Sequence, residues 1–338
     1  MHRTRRGFPL SPSFPGPILP EVHGSATAAA LRSGARRTRC AVVGAGRWGQ
    51  VLVRAVDDLL CLTDVVTTGS SSSTRWLQES LPGTTPTDDL AEVLGSGRSE
   101  AVVVATPWVS HFEIVRQALE AGLHVFVEKP ICATIEEAVE VRELALANDL
   151  ELFVGYVYLF DPSFVELVGL VAKDGVQRVV ASWNRPGLEG TAAYELLPHD
   201  IAILTQLLFD PVGNPVVRAK GGDLLDLEVR SVDGATASLR YTSDPSLPKG
   251  KEVHVWSGLR RFRWSPGRLE ERVAADCVRS QWRSVPIPAV HGSAANATAV
   301  EREIARFSWN TAQSDDRMVH SVDLLVGVTG AVAAVAKA

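Results

Sequence analysis

The short apolar run Arg39-Cys-Ala-Val-Val43 passes without a break into Gly44-Ala-Gly-Arg-Trp-Gly49. Beyond it, Val51, Leu52, Ala55, Val56 and Leu59 recur at roughly helical spacing. A strand, a glycine turn and a helix therefore follow one another, and no other stretch limits the fold so tightly. Glycines in the pattern GxGxxG, set between a strand and a helix, form a dinucleotide fingerprint. Gly44 permits the tight turn, Gly46 lets the backbone approach a pyrophosphate, and Gly49 lets the helix pack closely on the sheet. The pyrophosphate then meets N–H groups at the positive end of the helix. A plain tight turn is the competing reading.

A second strand is expected over Asp64 to Thr68. An NAD-binding fold places an acid near its end for the ribose 2′-hydroxyl. Here the chain has Gly69-Ser-Ser-Ser-Ser73 and then Arg75. Ser70, Ser71 and Arg75 suit a 2′-phosphate better than a bare hydroxyl, so NADP(H) is favoured over NAD(H). The same run also reads as a flexible serine loop.

Downstream, apolar strands alternate with capped helices. Asp88–Leu94 reads as a short helix and Glu100–Ala105 as a strand buried on both faces. Thr106-Pro107 ends that strand, and Ser110-His-Phe-Glu113 has capping-box spacing before the next helix. Val125-Phe126-Val127 is another buried strand, stopped by Glu128-Lys129-Pro130, which fixes a lysine on a stiff turn at the carboxyl end of a strand. Ligands of open α/β sheets bind outside that end. Thr134-Ile-Glu-Glu137 opens a further helix, and Leu152–Val154 is one more strand. The first half is thus expected to be a doubly wound parallel sheet.

Length and composition fit this picture. A chain of 338 residues exceeds what one core usually organises, and a net charge of −5 argues against nucleic acid as the main partner. The four cysteines show no CxxC or metal-ligand spacing, so reduced thiols in the cytoplasm are the simpler reading and no metal is expected. No apolar run reaches the roughly 18 to 20 residues that a membrane span needs. Residues 1–38, rich in Pro and Arg and without a signal-peptide core, read as a disordered tail.

Taken in order and spacing, Gly44-Ala-Gly-Arg-Trp-Gly49, Thr106-Pro107 with His111, and Glu128-Lys-Pro130 resemble the glucose–fructose oxidoreductase, inositol dehydrogenase and rhizopine catabolism family (Gfo/Idh/MocA). The resemblance runs from residue 39 onward and is tighter in the first half. It implies an NAD(P)-dependent oxidoreductase of sugars, cyclitols or sugar nucleotides. Its Rossmann domain would span 39–158, and an α+β substrate and oligomerisation domain with an open-faced mixed sheet would span 159–338. The implied cofactor-binding set is Gly44, Gly46, Arg47, Trp48, Gly49, Ser70, Ser71, Arg75, Thr106, Pro107, His111, Glu128 and Lys129. A homo-oligomer is implied as well.

In the second half, Ser163–Ala172 reads as a helix. Val176–Asn184, Val216–Lys220, Leu225–Val229, Ala235–Tyr241, Glu252–Trp256 and Arg260–Trp264 read as strands. Helices are expected over Ala294–Thr311 and Arg317–Lys337, and Trp256, Trp264 and Trp282 as sheet packing or subunit contact. Pro198 is acceptable only in a first helical turn, so a helix starts near Glu195–Leu197 and His199 sits at its N-terminus, where the dipole favours neutral imidazole. A neutral His suits a general base. The resemblance implies an Asp four residues before that His, and Glu195 stands there.

Loss of hydride from a carbinol requires a base for the hydroxyl proton and a cation for the developing alkoxide. His199 and Lys129 are the catalytic candidates. Tyr156, Asn184, Arg185, Tyr194, Glu195 and His199 are the candidates for the substrate side, with Tyr158 a second phenol. The segments Tyr156–Pro162, Trp183–Arg185 and Pro198–Asp200 look most like relatives acting on nucleotide-linked sugars, with C3 as the ring carbon. Inositol or simple-sugar dehydrogenases, a redox-neutral enzyme retaining its cofactor, and a non-catalytic NAD(P)-binding sensor are the alternatives.

Overall fold

A computed structural model describes residues 37–68, 71–187, 192–208, 215–221, 224–231, 234–273, 281–287, 298–312, 328–332 and 334–336. Ser70 and all but the last two residues of the expected tail lie outside this set.

The first sheet contains β1 (Arg39–Val43), β2 (Cys61–Val66), β3 (Ala101–Val104), β4 (His124–Glu128) and β5 (Leu152–Gly155) in the order β2-β1-β3-β4-β5. Every neighbouring pair is parallel. β3 is buried along its whole length, as is Val125–Val127 of β4, because helices cover both faces of such a sheet. The chain leaves β1 toward β2 and returns on its other side as β3, so the switch point lies between β1 and β3, where the glycine turn begins.

Local expectations are met unevenly. Thr134 and Glu137 form a complete capping box at the start of the Ile135–Ala147 helix. Ser110 does not cap: its hydroxyl donates to Thr106 Oγ1 and to the Pro107 carbonyl, both at 2.8 Å, and a 3₁₀ turn, Trp108–Ser110, precedes the His111–Glu120 helix. The second strand starts three residues earlier than expected, at Cys61. From Ser71 onward the serine run is helical, as part of the Ser71–Ser80 helix.

The second sheet has eight strands, ordered β13-β12-β11-β10-β6-β9-β8-β7. They are β6 (Arg178–Asn184), β7 (Val216–Gly221), β8 (Leu224–Arg230), β9 (Thr236–Thr242), β10 (Gly250–Ser257), β11 (Arg260–Ser265), β12 (Arg268–Val273) and β13 (Arg283–Ser284). The last two are not evident in the sequence, because the charged residues of Arg268-Leu-Glu-Glu-Arg-Val273 mask its alternation. β6 and β9 pair in parallel and the other neighbours antiparallel, which makes the sheet mixed. Alternate residues such as Val179, Ala181 and Trp183 are buried while Arg178 and Ser182 are exposed. The sheet is therefore open on one side.

On the covered side, the Leu197–Leu208 helix is buried at every position. The Pro162–Val171 helix packs on β11 and β12. Its cap residue Asp161 accepts from Ser163 N at 2.8 Å and Gly267 N at 2.9 Å, and Trp264 Nε1 donates to Ser163 Oγ at 2.8 Å. Trp264 is thus a core residue, whereas Trp256 and Trp282 lie among arginines on the open side. The Ala299–Ala312 helix crosses back to the first sheet: Phe307 meets Phe126 and Phe153, and Ser308 and Thr311 reach Thr38. The expected final helix falls largely outside the described residues, of which 328–332 and 334–336 are helical. Among the described residues no helix is long and apolar enough to cross a membrane.

Candidate active site

The three glycines differ in what a side chain would meet. At Gly44, with φ +104°, an added Cβ would lie 2.6 Å from the Ala105 carbonyl oxygen. At Gly49 it would lie 2.1 Å from the carbonyl oxygen of Gly44. These two close the turn on β3 and on itself. At Gly46 a Cβ would meet nothing within 4 Å. The backbone there faces open space at the start of the Gly49–Leu59 helix, whose positive dipole end suits an anion. That cradle fits a pyrophosphate, and the residues present therefore suit a dinucleotide.

Side chains around the turn hold it in place. Ser73 Oγ donates to the Ala45 carbonyl at 2.9 Å, so the serine run braces the turn. Trp48 Nε1 donates to Glu128 Oε1 at 2.5 Å, linking the turn to the end of β4. Burial pushes the Glu128 carboxyl up to about 7, against the pull of Trp48 and Lys129. Arg47 and Arg75 are exposed on the turn and on the Ser71–Ser80 helix.

His111 joins the next two turns. Its Nδ1 lies 2.8 Å from the Pro130 carbonyl oxygen and its Nε2 lies 2.8 Å from that of Thr106. The ring is fully buried and burial lowers its pKa. It spans the Thr106-Pro107 and Lys129-Pro130 segments, with both nitrogens engaged by backbone.

Lys129 leaves the carboxyl end of β4 and donates from Nζ to the Glu195 carbonyl at 2.8 Å. Burial lowers its pKa, opposed by the carboxylates of Glu128 and Glu195. Glu195 ends a short helix, Ala192–Glu195, one residue before the Leu197–Leu208 helix begins. Because the two helices are separate, its carboxylate does not stack under His199; it pairs with Arg185 at 3.1 Å.

His199 stands in the first turn of its helix, buried, and among the described residues its Nδ1 has no hydrogen-bond partner. Burial first, then Lys129, Lys251 and Arg185, hold its pKa well below the ordinary histidine value. Its ring meets Tyr158 edge-on at 4.9 Å and Trp183 at 6.0 Å.

The other substrate candidates divide. Arg185 and Tyr194 are half-exposed beside Lys129 and Glu195. Asn184 is a correction: its Nδ2 donates to the carbonyls of Asp244, Leu247 and Pro248, and its Oδ1 accepts from Thr242 and Asp244. Its amide is consumed by the turn before β10. Tyr156 is a second correction, since it is a core residue whose hydroxyl burial drives upward, with Cys132 adding to the shift. The 3₁₀ turn Val157–Phe160 brings Tyr158 to His199 instead.

Three residues at the site escape sequence reasoning. Trp108 stacks on Tyr194 with centroids 4.6 Å apart. Lys251 forms a buried ion pair with Asp200, the residue after His199. The alternation of β10 carries a signal, because Lys251 falls on the same face as Val253 and Val255. Among the described residues, no cluster of three or more His, Cys, Asp or Glu is placed to hold a metal.

Residues 38–156 match a family described as "Oxidoreductase family, NAD-binding Rossmann fold", GFO_IDH_MocA. This part of the chain belongs to the Gfo/Idh/MocA oxidoreductases. The module's cofactor class is a nicotinamide dinucleotide. The scyllo-inositol 2-dehydrogenase (NAD(+)) of Bacillus subtilis is 30% identical over 136 residues, which are 38% of this chain and 39% of that protein. The first curated relatives match over only 27% to 42% of their own length.

Solved structures are similar over far more of the chain. UDP-N-acetylglucosamine 3-dehydrogenase GnnA from Acidithiobacillus ferrooxidans superposes with TM-score 0.74 over 90% of this chain and 97% of its own, at 18% identity. KijD10, a 3-ketoreductase from Actinomadura kijaniata in complex with TDP-benzene and NADP, has TM-score 0.74 over 88% and 96%, at 16% identity. At these identities the likeness is one of fold.

Proposed function

We propose that the protein is an NAD(P)-dependent oxidoreductase that exchanges hydride with a ring carbinol or ketone of a sugar or sugar nucleotide. The first sheet with its loops binds the cofactor, and the second half supplies the substrate wall and an oligomer contact. The observation that carries this reading is the 2.8 Å bond from Lys129 Nζ to the Glu195 carbonyl. It sets the half-buried Lys129 ammonium at the end of β4 against the segment that leads into His199.

The bound nicotinamide supplies or takes the hydride. The chain's own part is acid–base work. His199, held neutral, accepts the proton of the reacting hydroxyl, and Lys129 places positive charge beside the oxygen as it becomes an alkoxide. In the reverse direction the same groups return the proton. Arg185, at the exposed rim and tied to Glu195, is the nearest donor for a diphosphate. Support for a nucleotide-linked substrate comes from the fold shared with GnnA and KijD10, whose descriptions name a UDP-sugar and a TDP ligand.

The test is a panel of UDP- and dTDP-sugars beside free glucose, inositol and deoxy-sugars, followed by nicotinamide absorbance in both directions. Turnover on nucleotide sugars, with KM raised in Arg185→Ala, is expected. Turnover on free sugars alone, with KM unchanged in that variant, removes the nucleotide-sugar reading and leaves the hydride chemistry. No turnover with any of them favours a sensor.

A further inference from the structure

Beneath His199 lies a row of three side chains on the covered face of the second sheet. Lys251 of β10 is directly opposite Trp183 of β6, and Trp183 is directly opposite Tyr241 of β9. All three are buried. Asp200 descends from the helix onto the two ends of this row: it takes the Lys251 ammonium on Oδ1 and the Tyr241 hydroxyl on Oδ2, the latter at 2.9 Å. The Lys251 ammonium also lies 4.2 Å from the Trp183 ring centre and 5.0 Å from that of Tyr158. Those are the two rings that His199 touches.

A buried ion pair is a poor way to hold a sheet to a helix. Its desolvation cost offsets much of its attraction, and apolar residues of similar volume commonly serve as well or better. The neighbours of Lys251 on its own face, Val253 and Val255, show the ordinary solution in this strand. The charged pair occurs where the strand passes under His199.

We propose that the Lys251–Asp200–Tyr241 cluster is a positioning device for His199, pinning the start of its helix and the Tyr158 and Trp183 rings so that the imidazole is presented as a proton acceptor. The proposal rests on the role given to His199 above. Lys251 touches no reacting atom in this scheme; it acts through Asp200 and the two rings. Its charge also disfavours a second positive charge on His199, in company with Lys129 from the end of β4 and Arg185 beyond β6. Asp200 beside His199 on the same helix acts in the opposite sense, and the Lys251 contact neutralises it. Tyr158, from the 3₁₀ turn, faces the ring as a neutral phenol whose pKa burial pushes up to about 12.

The decisive experiment titrates His199 by NMR in histidine-labelled full-length protein, its signal identified by loss in His199→Gln. The variants are Lys251→Met/Asp200→Asn, which removes the pair without orphaning either charge, and Tyr241→Phe, which removes one hydroxyl. In the double variant the opposed charges leave together. The His199 midpoint should move up toward the ordinary value of about 6.5 because the unpinned helix start and rings no longer keep water from the imidazole, burial being the chief cause of its lowering. Tyr241→Phe should move it the same way by less, since Asp200 loses a donor. With an active substrate, the acid limb of kcat should follow and kcat should fall roughly ten- to a hundredfold, with cofactor affinity unchanged.

Should the double variant fail to fold, Tyr241→Phe alone decides. A His199 titration unmoved in the folded variants overturns the proposal, whatever the substrate panel shows. A shifted titration in a protein that turns over no sugar would sustain the positioning role while removing the catalytic reading of His199.

Discussion

The rings of Trp108 and Tyr194 lie parallel, 4.6 Å apart and 6° from coplanar, although one follows β3 and the other precedes the His199 helix. Trp108 opens the 3₁₀ turn beyond Thr106-Pro107, and Tyr194 sits one residue before the carbonyl-bearing Glu195 that receives Lys129. The stack and the lysine bond therefore tie the Ala192–Glu195 helix to the ends of two neighbouring strands, β3 and β4. Stacked aromatic pairs contribute about 0.5–1.5 kcal/mol beyond their buried area. In a cycle of Trp108→Ala, Tyr194→Ala and the double variant, chemical denaturation should give a coupling of that size. Additive losses would mean that the rings only happen to be adjacent.

Lys129 and His199 are expected to behave as a unit in the chemical step. Lys129→Ala or His199→Ala should lower kcat by roughly a hundred- to ten-thousandfold while cofactor binding barely changes. The double variant should lose little more than either single one, because groups that act together are not additive. Steady-state rates with a separate dinucleotide titration check this. Near-normal turnover in both single variants would place the chemistry elsewhere.

Much of this site is legible in the amino-acid sequence, for identifiable reasons. Gly44, Gly46 and Gly49 are legible because each answers a backbone requirement that a side chain would violate or obstruct. Lys129 is legible because Pro130 ends its strand, and His199 because Pro198 marks a helix start. Asn184 and Tyr156 mislead, since a polar side chain near the site in sequence says nothing of where its hydrogen bonds go. Trp108 is hidden by a capping-box pattern that the Trp108–Ser110 turn displaces. Lys251 and Asp200 are hidden because their pairing spans 51 residues of sequence.

Cofactor choice is expected to favour NADP(H) over NAD(H). The acid that holds a ribose 2′-hydroxyl is missing after β2, and Arg75 is exposed on the helix that opens with the serine run. Arg75→Ala should weaken NADP(H) binding and leave NAD(H) binding nearly unchanged, since only the former carries the 2′-phosphate. Fluorescence titration of both nucleotides at fixed ionic strength measures it. A clear preference for NAD(H) in the parent protein would sink this expectation.

Two buried groups near the cofactor turn and the substrate wall should tilt stability with pH in opposite directions. Burial raises Glu128 from 4.5 to about 7, so between those values the native state binds more protons than the unfolded chain. Stability from this group is present at low pH and is lost as pH rises through 7. His199 is lowered well below 6.5, so below 6.5 the unfolded chain binds more protons, and its contribution is lost as pH falls. Glu128→Gln keeps an acceptor for Trp48 and should lessen the first slope, the remainder belonging to buried Glu303, whose carboxyl burial and Glu128 also raise. His199→Gln should lessen the second slope, to which buried His111 also contributes, and so turn the profile toward stability that falls with pH. Melting temperatures of the three proteins, taken from about pH 4.5 to 7.5, test both signs at once. A Glu128→Gln profile parallel to that of the parent would mean that Glu128 is already ionised in the folded protein, with Trp48 and Lys129 outweighing its burial.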